Sequence, residues 1–182
     1  LTGNGSATVT SSYWDTQSSG IATSFGGTGK TTLQMQTQVT YTGWDFGGET
    51  ANGTSDYWYM TSEDNGGYPF LLWEKAGELR APILVTPADL ATGMPVSGFE
   101  LSWTPNPVGM APTSYNVYLM RFTSGGIMEE HLYPTTATTF NPVTQSGIPM
   151  EYEATWYWTV EAVSGALITR RLPLRSFQME SD

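Results

Sequence analysis

Residues 24–32, SFGGTGKTT, contain the glycines and the lysine of a phosphate-binding loop. A Walker A loop needs a glycine five residues before its Gly-Lys pair, so that backbone N–H groups can surround the phosphates. Here that position is Ser24. The preceding SSYWDTQSSGIATS lacks the apolar strand that leads into such a loop, and no later apolar strand ends in an aspartate for Mg²⁺. We therefore do not predict a nucleotide site.

The same segment suits a tight turn that begins a short helix. Its glycines permit positive φ angles, and Lys30 is expected to be a solvated surface charge.

The helix is expected to begin after Thr31. Thr31 can cap its N-terminus, and Gln34 three residues later completes a capping box. The helix should run over residues 32–38 for about two turns. Leu33 and Met35 are expected to find apolar cover.

His131 is the only histidine, and its context GIMEEHLYP places it on a sandwich strand or at its edge. Without a second histidine or any cysteine, a zinc site would need three carboxylates. A Ser-His-Asp hydrolase that uses His131 stays open, although no Gly-x-Ser-x-Gly elbow supports it. We predict no catalytic residues.

Two pairs of carboxylates raise the question of glycoside hydrolysis. Glu129 and Glu130 are adjacent, so on a strand their side chains point to opposite faces. Glu151 and Glu153 would share a strand face about 7 Å apart, a separation that glycosidases use. On a small sandwich without a cleft, we expect solvated charges instead.

Acidic residues in Gly- and Asn-rich loops raise the question of calcium, but no Asp-x-Asp-x-Asp spacing occurs and we predict no metal site or cofactor. The acidic candidates are Asp15, Asp45, Asp56, Glu63 and Asp64.

Aromatic side chains are concentrated in the first half of the chain, where they could stack on sugars or anchor an interface. We expect Trp14, Trp44 and Trp73 to pack internally. Trp58 and Tyr59 are the candidate ligand-binding residues, because two consecutive strand residues cannot both face inward.

The composition favours an extracellular β-rich module. Of the 182 residues, 13% are charged and 13% aromatic, and the net charge is −10, which disfavours nucleic acid and anionic membranes. The chain has no cysteine, which excludes disulfides and thiolate chemistry. No apolar stretch approaches the 18 residues of a membrane span, so no membrane insertion is expected.

The pattern of the sequence changes near LLWEKAGELRAPILVTP, which predicts two regions, residues 1–78 and 79–182. The second has six or seven short strands with alternating apolar residues, which indicates a β-sandwich of about 100 residues. The residues expected on its inner face are Phe99, Leu101, Trp103, Tyr115, Val117, Leu119, Trp156, Trp158, Val160 and Ala162. A strand in TTATTFNP and a last strand over residues 167–177 complete the set.

This second region resembles a fibronectin type III domain in its Pro-rich first strand, LSW, YNVYL, TTFNP and YWTVEAV. The resemblance covers nearly all of residues 80–178 and implies an immunoglobulin-like sandwich. Where the family usually has a corner tyrosine the chain has Trp156, so the hydroxyl hydrogen bond at that corner must be replaced or lost. No Arg-Gly-Asp triplet occurs, so integrin binding does not carry over.

The first region is similar to the tail of bacterial surface proteins built from GLUG-type repeats. The similarity lies in SATVTSSYWDTQSSG, GGTGKTTLQMQTQVTYTGWDF, YWYM and GYPFLLWE. It implies a right-handed β-helix that ends in a capping segment, with LTGNGSATVTSSYW as part of one last coil. A single coil cannot bury its own face, so a longer N-terminal parent chain is implied.

Together these observations predict an all-β protein with a solenoid-cap-like region followed by a fibronectin type III-like sandwich. The expected function is a non-enzymatic spacer and interaction module of a bacterial, secreted or cell-surface, adhesin-like protein. Its partners would be a host or environmental protein or glycan. The alternative is an accessory module that holds carbohydrate or another substrate for a secreted hydrolase.

Overall fold

Two stretches of the chain, Leu1–Ala76 and Gly77–Asp182, each pack mainly on themselves. The structure is a computed structural model that describes residues 9–123, 125–171 and 173–182. The first eight residues of the predicted last solenoid coil lie outside the described residues. The two units are described separately.

The first unit combines short strands with short helices and 3₁₀ turns. A parallel strand pair comes first, and an antiparallel pair follows. In chain order the elements are β1 (Tyr13–Asp15), α1 (Thr16–Ser19), β2 (Thr28–Lys30), α2 (Thr32–Met35), β3 (Trp58–Tyr59) and β4 (Phe70–Leu71). The 3₁₀ turns are Gln38–Thr40, Asn65–Gly67 and Leu72–Lys75.

The predicted capping box at α2 is confirmed, since Thr31 Oγ1 accepts from the Gln34 N–H and Gln34 Oε1 accepts from the Thr31 N–H. The expected length of this helix was wrong. Threonine hydroxyls donate hydrogen bonds to carbonyl oxygens of this helix. Thr37 Oγ1 donates to Leu33 O at 2.7 Å, and Thr40 Oγ1 donates to Gln34 O at 2.6 Å. These bonds divert the chain into a 3₁₀ turn.

Of the two apolar residues expected to be covered in α2, only Met35 is buried. Met35 joins Tyr41 and Phe46 in the core of the first unit. Leu33 is 75% exposed, so the expectation for Leu33 was wrong.

The second unit is a β-sandwich of two sheets. The elements are β5 (Ile83–Thr86), β6 (Ala91–Met94), β7 (Leu101–Thr104), β8 (Ser114–Phe122), β9 (Met128–Thr135), β10 (Thr139–Phe140), α3 (Pro142–Gln145), β11 (Thr155–Ser164), β12 (Leu167–Ile168) and β13 (Arg175–Met179). The smaller sheet has the order β10–β7–β5, and the larger has the order β6–β13–β11–β8–β9, with β12 paired to β11.

The predicted inner face of the sandwich is confirmed for β7, β8 and β11. Alternate residues of these strands are buried and form one core with Leu84, Phe140 and Phe177. Phe99 lies before β7 and is partly buried against that core.

Two strand predictions of the second unit were too simple. The predicted last strand, residues 167–177, is two strands, β12 and β13, separated by a segment that contains Pro173. Proline lacks the N–H that a ladder needs, and the Pro173 carbonyl oxygen instead accepts from Thr159 Oγ1 at 2.8 Å. The Thr-rich strand is only the two-residue β10, which the Asn141-capped helix α3 follows directly.

The outer face of β8 and β11 carries a polar network in which Tyr118 and Glu161 are buried and Arg171 and Glu130 are exposed. Tyr118 Oη donates to Glu161 Oε2 at 2.8 Å, and the Arg171 guanidinium lies 3.8 Å from the centre of the Tyr118 ring. Arg171 also pairs with Glu130, with 2.6 Å between Nη1 and Oε2. This network explains why Glu161 is only 8% exposed on the face opposite the core.

At the corner where the family has a tyrosine, Trp156 is completely buried. Its indole Nε1 has no hydrogen-bond partner among the described residues, so the corner hydrogen bond is lost rather than replaced. The Arg121 guanidinium lies 5.1 Å from the centre of the indole ring, which adds a cation–π contact.

Candidate functional site

The glycines of residues 24–32 lie against residues 9–16, which run parallel to them. A Cβ on Gly27 would stand 2.8 Å from Ser12 O, and one on Gly29 would stand 2.7 Å from Thr16 Cγ2. The Thr28 N–H donates to Ser12 O at 2.8 Å. The glycines therefore permit two chain segments to approach closely, which is the role that glycine has in such contacts.

Lys30 is half-buried, and its Nζ lies 5.9 Å from the centre of the Tyr13 ring. Its carbonyl oxygen accepts from Thr16 Oγ1 at 3.0 Å.

Asp15 caps helix α1 and ties it to a distant part of the first unit. Its Oδ1 accepts from the Gln17 and Ser18 N–H groups, and its Oδ2 accepts from Tyr68 Oη at 2.6 Å. Desolvation by burial raises the pKa of Asp15, but the hydrogen bonds from Tyr68, Ser18 and Gln17 outweigh it and hold this pKa well below its usual range.

Two of the remaining calcium candidates, Asp45 and Asp64, bind different parts of the first unit. Asp45 Oδ2 accepts from the Ser55 N–H at 3.0 Å, and Asp64 pairs with Lys75 at 3.5 Å. Glu63 is exposed and Asp56 partly buried. The part of the chain that the structure describes contains no group of three histidine or acidic side chains placed to hold a metal ion.

The carboxylates considered for glycoside hydrolysis are mostly bound to arginines. Glu129 accepts from Arg121 Nε at 2.9 Å and Glu130 from Arg171, so this pair does face opposite sides of β9. The expectation that Glu151 and Glu153 share a strand face was wrong. They lie at a turn before β11, where Glu153 has a φ of 59° and Glu151 pairs with Arg121 at 3.4 Å.

His131 lies on β9, as predicted, opposite Leu119 of β8. It is half-buried. Among the described residues no serine hydroxyl or carboxylate is hydrogen-bonded to it, so the structure assembles no triad around His131.

Trp58 and Tyr59 form β3, and both are half-buried. The Trp58 ring centre lies 4.2 Å from that of Trp44, so the Trp44 ring covers part of the Trp58 indole. Tyr59 packs over Gly47, where a Cβ would stand 2.7 Å from the Tyr59 ring. Both faces of this short strand therefore have neighbours, and ligand binding by Trp58 and Tyr59 stays a prediction.

The three tryptophans expected to pack internally differ. Trp44 packs against the core and donates from Nε1 to Ser11 O at 2.9 Å. Trp14 is partly buried and donates to Ile21 O at 3.0 Å. Trp73 is 69% exposed, so the expectation for Trp73 was wrong.

An open depression of about 460 Å³ lies beside Trp58. Its lining combines apolar and polar side chains: Trp58, Asn65, Pro69, Phe70, Leu71, Glu74 and Lys75. Sequence reasoning identified Trp58 but missed the others. The available signal was GYPFLLWE, because Phe70 and Leu71 pair with Tyr59 and Trp58 in the β3–β4 ladder.

Neither a protein-family model nor a curated protein matches the chain. The solved structures that match include fibronectin type III domains and a redesigned β-sandwich protein. The third such domain of human KIAA0343 protein is 15% identical, with 58% of this chain and 88% of that one covered and a TM-score of 0.41. An Fn3-like protein from Clostridium thermocellum is 23% identical, with 57% and 98% covered and a TM-score of 0.37. The FN5 domain of Drosophila Lar is 14% identical, with 56% and 96% covered and a TM-score of 0.38.

At these identities and TM-scores, the assignment of the second unit rests on its own strand order. A three-stranded sheet faces a larger sheet whose central strands are β8 and β11, as in immunoglobulin-like sandwiches. The predicted all-β sandwich is therefore confirmed at the level of fold. The α-helices of the described residues have four residues each, too few for a membrane-spanning helix.

We predict that Gly29→Ala destabilises the first unit by about 1–3 kcal/mol, the usual range for overpacking. The added methyl group would collide with Thr16 and Trp14. Faster hydrogen exchange of the Thr28 amide would measure the loss. Gly77→Ala is the matched control, since no heavy atom lies within 4 Å of its added carbon. Unchanged exchange in Gly29→Ala, or a melting temperature raised by ATP, would contradict this account.

We predict that the first unit loses stability in acid through Asp15. Because its folded pKa is depressed, the stabilisation is complete above the unfolded value of about 3.9 and is lost as the pH falls toward the folded pKa. Asp15→Asn removes this titration. Thermal unfolding followed by near-UV circular dichroism at pH 7 and pH 3 should show a smaller acid shift in Asp15→Asn than in the parent. Glu63→Gln, an exposed control, should follow the parent.

Proposed function

We propose that the chain is a non-enzymatic spacer and interaction part of a bacterial secreted or cell-surface, adhesin-like protein. The observation that carries this proposal is the parallel pairing of β6 with β13, the last strand of the sandwich. In a parallel pair, the start of one strand and the end of the other lie at opposite ends. Tension between residues 77 and 182 reaches β6 through β5, pulls along the β6–β13 pair and shears its hydrogen bonds.

Side chains reinforce this junction at both ends. The Glu180 N–H donates to Met94 O at 2.9 Å, and Glu180 Oε1 accepts from the Val96 N–H at 2.9 Å. At the other end, the Ser176 N–H donates to Asp89 Oδ1 at 2.9 Å. These contacts suit a module that transmits load, because several bonds must break together before β13 can slide.

The first unit supports the solenoid part of the proposal through its parallel strands. Tyr13 of β1 pairs with Thr28 of β2, and Asp15 pairs with Lys30. Stacked parallel strands joined by short connections are the unit from which β-solenoids are built. We propose that this unit caps such a solenoid and continues N-terminally into a longer parent chain.

The absence of catalysis is also part of the proposal. Fibronectin type III domains are typically non-catalytic modules. Several charged side chains in the described part of the sandwich form ion pairs, such as those of Arg121 and Arg171. The proposed partners are a host or environmental protein or glycan that the chain binds outside the cell.

Antibodies raised against residues 77–182 test this proposal in the organism that encodes the chain. We expect them to label intact cells or to detect the protein in culture medium, and protease treatment of intact cells should remove the cell-bound signal. An antibody against a cytoplasmic protein is the control for lysis. Labelling that requires permeabilised cells would contradict the proposal.

A second candidate function is an accessory module that holds carbohydrate or another substrate for a secreted hydrolase. Exposed aromatic side chains favour it, since Tyr57 is 60% and Trp73 69% exposed near the depression that Trp58 lines. Large exposed aromatics often mark binding surfaces.

A further inference from the structure

The depression beside Trp58 is lined by apolar side chains and by a set of polar side chains, termed the rim. Pro69, Phe70 and Leu71 of the β4 region lie along it with Trp58, while Asn65, Glu74 and Lys75 supply the polar groups. Its volume of about 460 Å³ falls within the range of small-molecule sites.

A hydrogen bond and an ion pair hold two of the three rim groups, Asn65 and Lys75. Asn65 Nδ2 donates to the Pro69 carbonyl oxygen at 2.9 Å, and Lys75 Nζ lies 3.5 Å from Asp64 Oδ1. Glu74 belongs to the same 3₁₀ turn as Lys75 and is exposed. A site with its polar groups held in place loses less entropy when it binds a ligand.

The rim offers the hydrogen-bonding types that hydroxyl groups need. A carboxylate such as Glu74 only accepts, an ammonium such as Lys75 only donates, and an amide such as Asn65 does both. A sugar ring carries hydroxyls that donate and accept hydrogen bonds around an apolar C–H face. This face can stack on an aromatic ring such as that of Trp58.

The charge of the first unit selects among sugars. Residues 1–76 carry seven acidic and two basic side chains, and at the rim Lys75 is paired with Asp64 while Glu74 is exposed. Sulfated, phosphorylated or sialylated glycans would be repelled, whereas uncharged sugars would not.

We propose that this depression is a binding subsite for one uncharged sugar residue of a polysaccharide. Trp58 provides the apolar contact, and Glu74, Lys75 and Asn65 bind the hydroxyl groups. This inference deepens the second candidate function and rests on it.

The test uses the full chain on an array of neutral glucan, xylan, mannan and galactan oligosaccharides, with sialylated and sulfated glycans as charged comparators. The parent should bind at least one neutral class and no charged one. Glu74→Ala should weaken that binding about tenfold or more, the usual effect of losing a hydrogen bond to a charged group. Trp58→Phe, which keeps an aromatic ring against Trp44, should also weaken it.

Glu63→Ala is the matched control, because Glu63 is an exposed acid of the same unit outside the depression. It should bind as the parent does. Neutral-glycan binding that survives Glu74→Ala, or that Glu63→Ala weakens equally, would overturn the subsite and leave the substrate-holding function standing. Absence of neutral-glycan binding would overturn both and leave the spacer function untouched.

Discussion

The sandwich depends on the burial of three tryptophans, Trp103, Trp156 and Trp158, between its two sheets. Each such side chain buries about 150–250 Å², worth about 4–6 kcal/mol at about 25 cal/mol per Å². All three indole N–H groups lack a hydrogen-bond partner among the described residues, which costs about 1–3 kcal/mol each. The free energy gained from burial exceeds the cost of the unpaired N–H groups, so the three indoles stabilise the packing of the two sheets.

Because this core is apolar, any chemistry of the second unit must take place at its surfaces. Because Trp158 and Val160 face inward, Thr159 and Glu161 must face outward, and they are covered there by the Arg171 segment. Glu130 and Glu161 pair with Arg171 and hold this segment in place. The first unit differs, since its aromatic cluster around Trp44 leaves Trp58 at the side of an open depression.

The sequence predicted the features that depend on residues close together in the chain. Alternation placed Leu101 and Trp103 inside because one face of a strand meets the core, and the capping box at Thr31 depends on two nearby residues. The predictions failed where the exposure or conformation of a residue depends on distant partners or on irregular backbone. The exposure of Trp73 and the turn at Glu153 are of this kind, and so is the depression, whose lining comes from several segments.

The most direct test of the account is the force needed to unfold the second unit, measured by pulling single full-length molecules by their two ends. If the β6–β13 pair bears the load, Glu180→Ala should lower that force, because Glu180 Oε1 no longer accepts from the Val96 N–H. Glu100→Ala, an exposed acid before β7, should leave it unchanged. Equal forces in the parent and Glu180→Ala would contradict a load-bearing role for this strand pair.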